Sequence, residues 1–297
     1  MTMTHSARFS VLVLALLLTG LPAAAGAGSL ASLAAPSLLD AGAPPLHPLA
    51  PSGGSPARLP DGQQTFFNPP AESSPEPDLA LLRELASFQT KAELSEADGD
   101  RLVTIVEQLG DRHRVRRLVA RILNRDGGRL DRMFNKVLIA RAWKKHGPLP
   151  NLAEVSSGIV RGGQPAPEGW AKLKAMGVQV VVNLRLEDES ERSAVEARGL
   201  RYVSMPIPDT DAPTREQARR FLQLCGETTS QARLFFHCAA GTFRTGTMAA
   251  VYRVEQGATA EQALAEAATF GWRETWLNAD LEAAFVRRWA GKGVRPH

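Results

Sequence analysis

The chain has 297 residues, of which 44% are hydrophobic and 22% charged, a composition typical of one or two soluble globular domains. Its net charge of +4 is mild, and we expect no nucleic-acid partner. Its two cysteines, Cys225 and Cys238, exclude a disulfide framework and a cysteine-rich zinc site.

The first 25 residues have the pattern of a secretory signal peptide. Arg8 gives a weakly basic start, residues 11–18 are an unbroken apolar run, and residues 23–25 supply the small side chains of a cleavage site. The run is shorter than the roughly 20 residues that a membrane span needs. We therefore expect an exported protein, periplasmic or secreted, and the Ala, Arg and Gly content favours a bacterial source.

Two segments of different character follow the predicted signal peptide. Residues 26–77 are rich in Pro, Ala, Gly and Ser, which predicts a disordered linker. Residues 78–150 change to a helical periodicity, in which Leu79, Leu82 and Leu85 share one face. We predict three or four short helices in this second segment, one of them capped by Ser95 or Asp98.

The helical segment carries twelve lysines and arginines from Arg112 to Lys145, opposed only by Asp126 and Asp131. A solvated helix face is the favoured interpretation of such a charge run. A weak contact with an anionic membrane is the alternative.

Residues 151–297 show the alternation of strands and helices that is typical of an α/β domain. Strands are predicted at 158–161, 178–184, 200–205 and 234–237, and helices at 167–176, 187–198, 214–226, 245–256, 259–270 and 276–290. This order predicts a central, mostly parallel sheet flanked by helices.

The last predicted strand leads into the most informative stretch of the chain. An apolar run ends in His237 and Cys238, five residues lead to Arg244, and Thr245 and Gly246 open an Ala-rich helix. In a strand–loop–helix of this kind, backbone N–H groups and the positive end of the helix dipole form a cradle for an anion. A thiol at its base is held as a thiolate, and the guanidinium group offers two donors to phosphate oxygens.

This spacing resembles the signature loop of the cysteine-dependent protein tyrosine phosphatases, especially a bacterial dual-specificity-like branch. The resemblance extends over about residues 156–289, through Gly162 and Gly163, the strand at 180–185, and Gly199 to Tyr202. It implies a dual-specificity phosphatase-like fold. It also implies phosphomonoester hydrolysis without a metal or other cofactor, on a phosphorylated protein or a small phosphomonoester.

The resemblance also implies roles for individual residues. Cys238 is the expected nucleophile, which forms a cysteinyl-phosphate intermediate. An aspartate on a neighbouring loop is expected to protonate the leaving oxygen; Asp209 is the favoured candidate and Asp211 the fallback. Thr245 is expected to polarise the sulfur and His237 to orient the loop. The expected phosphate-binding residues are Ala239, Ala240, Gly241, Thr242, Phe243 and Arg244.

Several residues near the motif have two interpretations at this point. Arg161 and Arg185 either help to hold the loop or make surface ion pairs. Core packing is the default for Cys225, whereas a regulatory disulfide with Cys238 is the less favoured alternative. Trp272 and Trp276 are expected in the core rather than along a substrate cleft.

Three rival functions remain beside a tyrosine or dual-specificity phosphatase. A phosphoinositide, inositol-phosphate or phospholipid phosphatase of the same superfamily is the nearest, although its loop often carries basic residues where this one has Ala239 and Ala240. Sulfur transfer is disfavoured by the five-residue spacing. A phosphate-binding module without activity is disfavoured by the presence of Cys238, Arg244 and a candidate acid.

Overall fold

Four α-helices precede the first strand in the part of the chain that the structure describes. The computed structural model describes residues 75–291, so the predicted signal peptide and nearly all of the predicted linker lie outside the described residues. The helices are α1 (Pro75–Ser87), α2 (Glu96–Leu109), α3 (Arg116–Leu123) and α4 (Arg129–His146). The cap of α2 is Ser95, whose side chain accepts the Asp98 N–H while Asp98 accepts the Ser95 N–H.

Strands and helices alternate after α4. In chain order they are β1 (Ala153–Ser156), β2 (Ile159–Gly162), α5 (Gly169–Ala175), β3 (Val178–Arg185), α6 (Arg192–Glu196), β4 (Arg201–Ile207), α7 (Arg215–Gly226), β5 (Arg233–His237), α8 (Phe243–Glu255), α9 (Ala260–Ala268) and α10 (Ala279–Ala290). The predicted capping boxes at Thr214 and Thr259 are present and start α7 and α9.

The described strands form a five-stranded sheet in the order β1-β2-β5-β3-β4. Only β1, an edge strand that the sequence pattern did not reveal, runs antiparallel to its neighbour. β5 lies in the middle, and its Phe235 and Phe236 are fully buried because helices cover both faces of the sheet. The predicted α/β class with a mostly parallel sheet is confirmed, and the sheet's centre delivers the chain to the His237–Cys238 loop.

Two predicted helices are too long. The helix expected at 187–198 is confined to α6, because Asp188 is held in a turn in which its carboxylate accepts the Ser190 N–H and the side chain of Arg185. The helix expected from 276 begins at Ala279, because Leu277 has a φ of 36° and donates its N–H to the carbonyl of Gly110. Both irregular stretches border the site described below.

The helical segment and the C-terminal helices share one hydrophobic core. Ile105 and Leu109 of α2 are fully buried in the same cluster as Trp276 and Val286. Arg116 of α3 is buried beside it, donates to the carbonyls of Glu274 and Thr275 at 2.9 Å, and pairs with Asp280 at 3.2 Å. Part of the basic run is therefore structural, and the helical segment is packed firmly onto the domain. In residues 75–291 no helix has the length and apolarity to cross a bilayer.

Gly110 lies where the helical segment packs tightly against Trp276, and its substitution tests this packing. A Cβ at Gly110 would lie 2.3 Å from the indole of Trp276, so Gly110→Ala forces a buried ring to move. We expect Gly110→Ala to lower the free energy of unfolding by about 1–3 kcal/mol, measured by urea denaturation.

Gly226→Ala is the matched control, because Gly226 ends α7 and a Cβ added there would meet nothing within 4 Å. It should leave stability unchanged or raise it by up to about 1 kcal/mol. Equal stabilities for the two variants would contradict the tight packing at Gly110.

Candidate active site

The loop between β5 and α8 lies at the N-terminus of a thirteen-residue helix and is almost wholly buried. Cys238 is 3% exposed and Arg244 2% exposed. Residues 238–244 border a cavity of about 50 Å³ through Cys238, Ala239, Ala240, Phe243 and Arg244. The N-terminal N–H groups of α8 and its dipole favour a bound anion at this point.

The loop takes this shape because glycines let two backbones meet. Gly241 has a φ of 75°, and a Cβ on it would lie 2.4 Å from the N atom of Gly163. The carbonyl of Ala239 accepts the N–H of Gln164 at 2.9 Å. The Gly162–Gly163 turn after β2 thus supports the loop from behind.

Arg161 and Asn151 hold the loop through its carbonyls. Arg161 is buried, donates to the carbonyl of Gly241 at 2.6 Å and lies 4.0 Å above the ring of Phe270. Burial lowers the pKa of Arg161 to about 10, which leaves it charged at neutral pH. Asn151, which the sequence did not point to, donates to the carbonyl of Ala240 at 2.9 Å. The loop-holding interpretation of Arg161 is therefore right and the surface one wrong.

The guanidinium group of Arg244 is enclosed by carboxylates. Its Nη1 and Nη2 donate to Glu187 at 2.7 and 2.9 Å, and its Nε lies 2.6 Å from Asp209 Oδ1. Burial disfavours the charge, but Asp209 and Glu187 outweigh burial and raise the pKa of Arg244 well above its usual range. Burial likewise acts to raise the pKa of Glu187, and Arg244 reverses this and lowers it.

The two candidate acids stand in different environments. Asp209 contacts Arg244 and accepts a hydrogen bond from Asn135 Nδ2 at 3.0 Å. Burial raises the pKa of Asp209, Arg244 lowers it, and the negative charge of Glu187 raises it again. The net result is a raised pKa. Asp211 also borders the cavity, but its carboxylate accepts the N–H of Ala212 in a local turn. The structure thus brings Asp209, and not Asp211, onto the arginine.

His237 and Thr245 lie beneath the loop. The Nδ1 atom of His237 lies 3.2 Å from the carbonyl of Cys238, and its Nε2 lies 3.3 Å from Glu191 Oε1. Glu191 is paired in turn with Arg185, which is 2% exposed, so the surface interpretation of Arg185 is wrong. The Thr245 hydroxyl donates to the carbonyl of Gly162 at 3.4 Å.

Three further polar residues reach the site, and no local sequence pattern marks them as site residues. Asp131 and Asn135 come from α4, and Glu282 comes from α10. Glu282 accepts a hydrogen bond from the indole of Trp272 at 3.0 Å, and burial raises its pKa to about 7. Trp272 and Trp276 are buried in the core as expected, although Trp276 also borders the cavity. Asp131, Asn135 and Glu282 are distant in sequence from the loop at residues 238–244, so local sequence patterns do not connect them with it.

The two cysteines and the question of a metal site remain from the sequence analysis. Cys225 and Cys238 are both free thiols, and Cys225 packs in the core as expected. Among residues 75–291 there is no group of three or more His, Cys, Asp or Glu residues that is arranged to hold a metal ion.

Comparison with known families agrees with this geometry. Residues 143–283 match the model of a family described as a DSP-PTPase phosphatase fused to NAD+ kinase. This part of the chain is therefore similar to the phosphatases of the cysteine-dependent protein tyrosine phosphatase superfamily. The matched region contains the loop, Arg161, Glu187 and Asp209, whereas Asp131 and Asn135 precede it.

One curated relative is the probable NAD kinase 2, chloroplastic, of Oryza sativa subsp. japonica. It is 28% identical over 123 residues, which cover 37% of this chain and 12% of that protein. The chain therefore spans about an eighth of the length of this relative.

The similar solved structures each cover about half of this chain. TpbA of P. aeruginosa is 24% identical and covers 48% of this chain and 91% of its own, with a TM-score of 0.40. A putative phosphatase of Shewanella putrefaciens CN-32 is 20% identical over 50% and 95%, with a TM-score of 0.42. The catalytic core of Siw14 is 16% identical over 49% and 92%, with a TM-score of 0.41.

Glu282 gives a pH-dependent prediction. Its folded pKa of about 7 lies above its usual value of 4.5, so the folded state holds the proton more tightly than the unfolded state. The stability that protonated Glu282 contributes is complete below about pH 4.5 and is lost as the pH rises through 7. Glu282→Gln removes this dependence, and we expect its stability advantage to grow by about 2–3 kcal/mol from pH 5 to pH 8.

Urea denaturation of both proteins at intervals between these pH values measures the difference. Stability curves that stay parallel over the whole range would show that Glu282 is ionised in the folded protein at neutral pH.

Proposed function

We propose that the phosphatase domain hydrolyses phosphomonoesters through a cysteinyl-phosphate intermediate, with phosphotyrosine-type esters as its preferred substrates. The observation that carries the proposal is the meeting of Cys238, Arg244 and Asp209 around one cavity at the N-terminus of α8. These are the nucleophile, anion clamp and acid that the reaction needs. The family match supports the phosphatase class independently of the geometry.

The steps follow from the chemistry of these groups. The Cys238 thiolate attacks phosphorus, while backbone N–H groups of the loop and Arg244 bind the equatorial oxygens. Asp209 gives a proton to the leaving oxygen, then takes one from the water that cleaves the S–P bond. This scheme uses no metal. It requires that the phosphate take over the Arg244 Nε that Asp209 now occupies.

The surroundings of the cavity favour a singly phosphorylated aryl ester. Aromatic and aliphatic side chains border it, namely Phe134, Leu138, Phe243, Trp276 and Leu277. The nearby Glu187 has a lowered pKa and stays ionised, and its negative charge disfavours additional phosphates on an inositol ring or a phosphoinositide. TpbA, one of the similar proteins, has a variant that was crystallised with phosphotyrosine. A phosphoinositide, inositol-phosphate or phospholipid phosphatase of the same superfamily is the alternative function.

A panel of substrates separates these possibilities. It compares phosphotyrosine, phosphoserine and phosphothreonine peptides with inositol phosphates, a phosphoinositide and NADP, the last because the matched family is joined to NAD kinases. The proposal expects the highest kcat/KM on phosphotyrosine peptides. A higher value on an inositol phosphate or lipid would establish the alternative.

Variants of the candidate residues test the mechanism with p-nitrophenyl phosphate. Without its nucleophile, Cys238→Ser should lose turnover by at least about 10³-fold. Asp209→Ala should lower kcat by about 10²-fold or more and leave inorganic phosphate binding intact, because it removes the base of the second step as well as the acid of the first. Asp211→Ala is the matched control and should retain activity.

Two results would contradict the assignment. Full activity in Cys238→Ser would exclude the cysteine as nucleophile. A large loss in Asp211→Ala with none in Asp209→Ala would transfer the acid role to Asp211.

We also retain export and weak membrane contact as proposals. Export depends on residues 1–25, which lie outside the described residues. The membrane contact would use exposed residues of the basic run, among them Arg114, Arg121, Arg125, Arg132, Lys136, Lys144 and Lys145.

Co-sedimentation with vesicles that contain anionic lipid measures this contact. Exchange of Lys136, Lys144 and Lys145 for glutamine should weaken sedimentation, because each charge contributes up to about 1 kcal/mol near such a surface. Unchanged partitioning, at low and moderate salt alike, would dispose of membrane binding by this face.

A further inference from the structure

We propose that Asp131, on the helical segment outside the matched phosphatase domain, shares one proton with Asp209 and supplies it for leaving-group protonation. Asn135 holds Asp209 in place through a hydrogen bond. The active site would then be built from two parts of the chain that the family match does not unite. This inference rests on the proposed phosphatase function and deepens it.

The contacts between α4 and Asp209 are direct. Asp131 and Asn135 are each 5% exposed and lie one helical turn apart on the inner face of α4. Asn135 Nδ2 donates to Asp209 Oδ2 at 3.0 Å and to the Asp131 carbonyl at 3.1 Å. The carboxyl groups of Asp131 and Asp209 lie close enough for one to donate a hydrogen bond to the other when it is protonated. Every side-chain oxygen of Asp209 therefore has a partner, and two of its three partners come from α4.

The cavities place this carboxyl pair beside the path of a leaving group. Asp131 and Asp209 border both the inner cavity at Cys238 and a second cavity of about 320 Å³. The second cavity is lined by Gly127, Arg132 and the exposed Leu186. An ester whose phosphate lies on the loop would extend past the pair toward this larger space.

Ionising both of two buried carboxyl groups in close contact is costly, so the pair keeps one proton while the loop is empty. Burial, and then the negative charges of Asp209 and Glu187, raise the pKa of Asp131 well above its usual range. Arg244 draws the negative charge onto Asp209, so the proton rests on Asp131 while the loop is empty. The other charged groups that face the pair are Glu187, Glu282, Asp211 and Arg132.

A bound phosphate dianion reverses the preference. Arg244 then pairs with the phosphate, Asp209 loses the cation that stabilised its charge, and the proton passes from Asp131 to Asp209. When Cys238 displaces the alcohol, the S–P bond forms, the P–O bond breaks, and the leaving oxygen takes that proton. In the second step water loses a proton to the pair as its oxygen displaces the thiolate, which restores the starting state.

Leaving-group dependence tests this role in the full-length protein. Asp131→Asn keeps a donor toward Asp209 but carries no transferable proton. We expect its kcat/KM on phenyl phosphate to fall by about 10²-fold, and on 2,4-dinitrophenyl phosphate by a few-fold at most, because an acidic phenol needs no protonation. The basic limb of its pH–rate profile should move to lower pH, because the second negative charge is gone.

Asn135→Leu gives an independent variant of similar size that removes the other contact to Asp209. It should show the same selective loss on phenyl phosphate. Lys136→Ala, an exposed neighbour on α4, is the control and should match the wild type on both esters.

The outcomes separate this inference from the proposed function. An active wild type whose Asp131→Asn variant loses nothing, or loses both esters equally with an unshifted pH profile, overturns the role of Asp131 alone. A wild type that hydrolyses neither ester overturns the phosphatase proposal, and this inference with it.

Discussion

The buried charge of Arg244 is the constraint on which the site depends. A buried guanidinium group has lost its hydration and needs negatively charged partners. Here Glu187, which follows β3, and Asp209, which follows β4, pair with it. Both follow the C-terminal ends of parallel strands that lie on one side of β5 in the sheet. The sheet order therefore decides which loops reach the arginine, and the loop itself needs Gly241 and Arg161 to hold it against the turn after β2.

The same charge ties the helical segment to the chemistry. Asp209 contacts Arg244 through Oδ1 and accepts a hydrogen bond from Asn135 of α4 through Oδ2. A change at Arg244 or on α4 therefore alters the charge distribution at Asp209. The large core that α2 shares with α10 fixes α4 at this distance. Without the helical segment, the cavity would be exposed and Asp209 would lose two of its three polar partners.

Sequence reasoning predicted what depends on neighbouring residues. The strand–loop–helix with Cys238 and Arg244, the capping boxes and the order of strands and helices are local patterns, and these elements are present. It failed where contacts are distant in sequence. The sequence pattern predicts a helix that begins at Glu187, because the pairing of Glu187 with Arg244 across 57 residues leaves no periodic signal. Asp131 stood out only as one of two acids in a basic run, and nothing local indicated that it faces Asp209.

The central claim is that Cys238 carries the phosphoryl group during turnover. The most direct measurement uses the Asp209→Ala protein, in which loss of the base for the second step lets the intermediate accumulate. The protein is mixed with p-nitrophenyl phosphate, quenched in acid, digested, and sequenced by tandem mass spectrometry. We predict a phosphoryl group on Cys238, formed together with a burst of one nitrophenol per protein. Turnover with the phosphoryl group on another residue, or on none, would contradict the account.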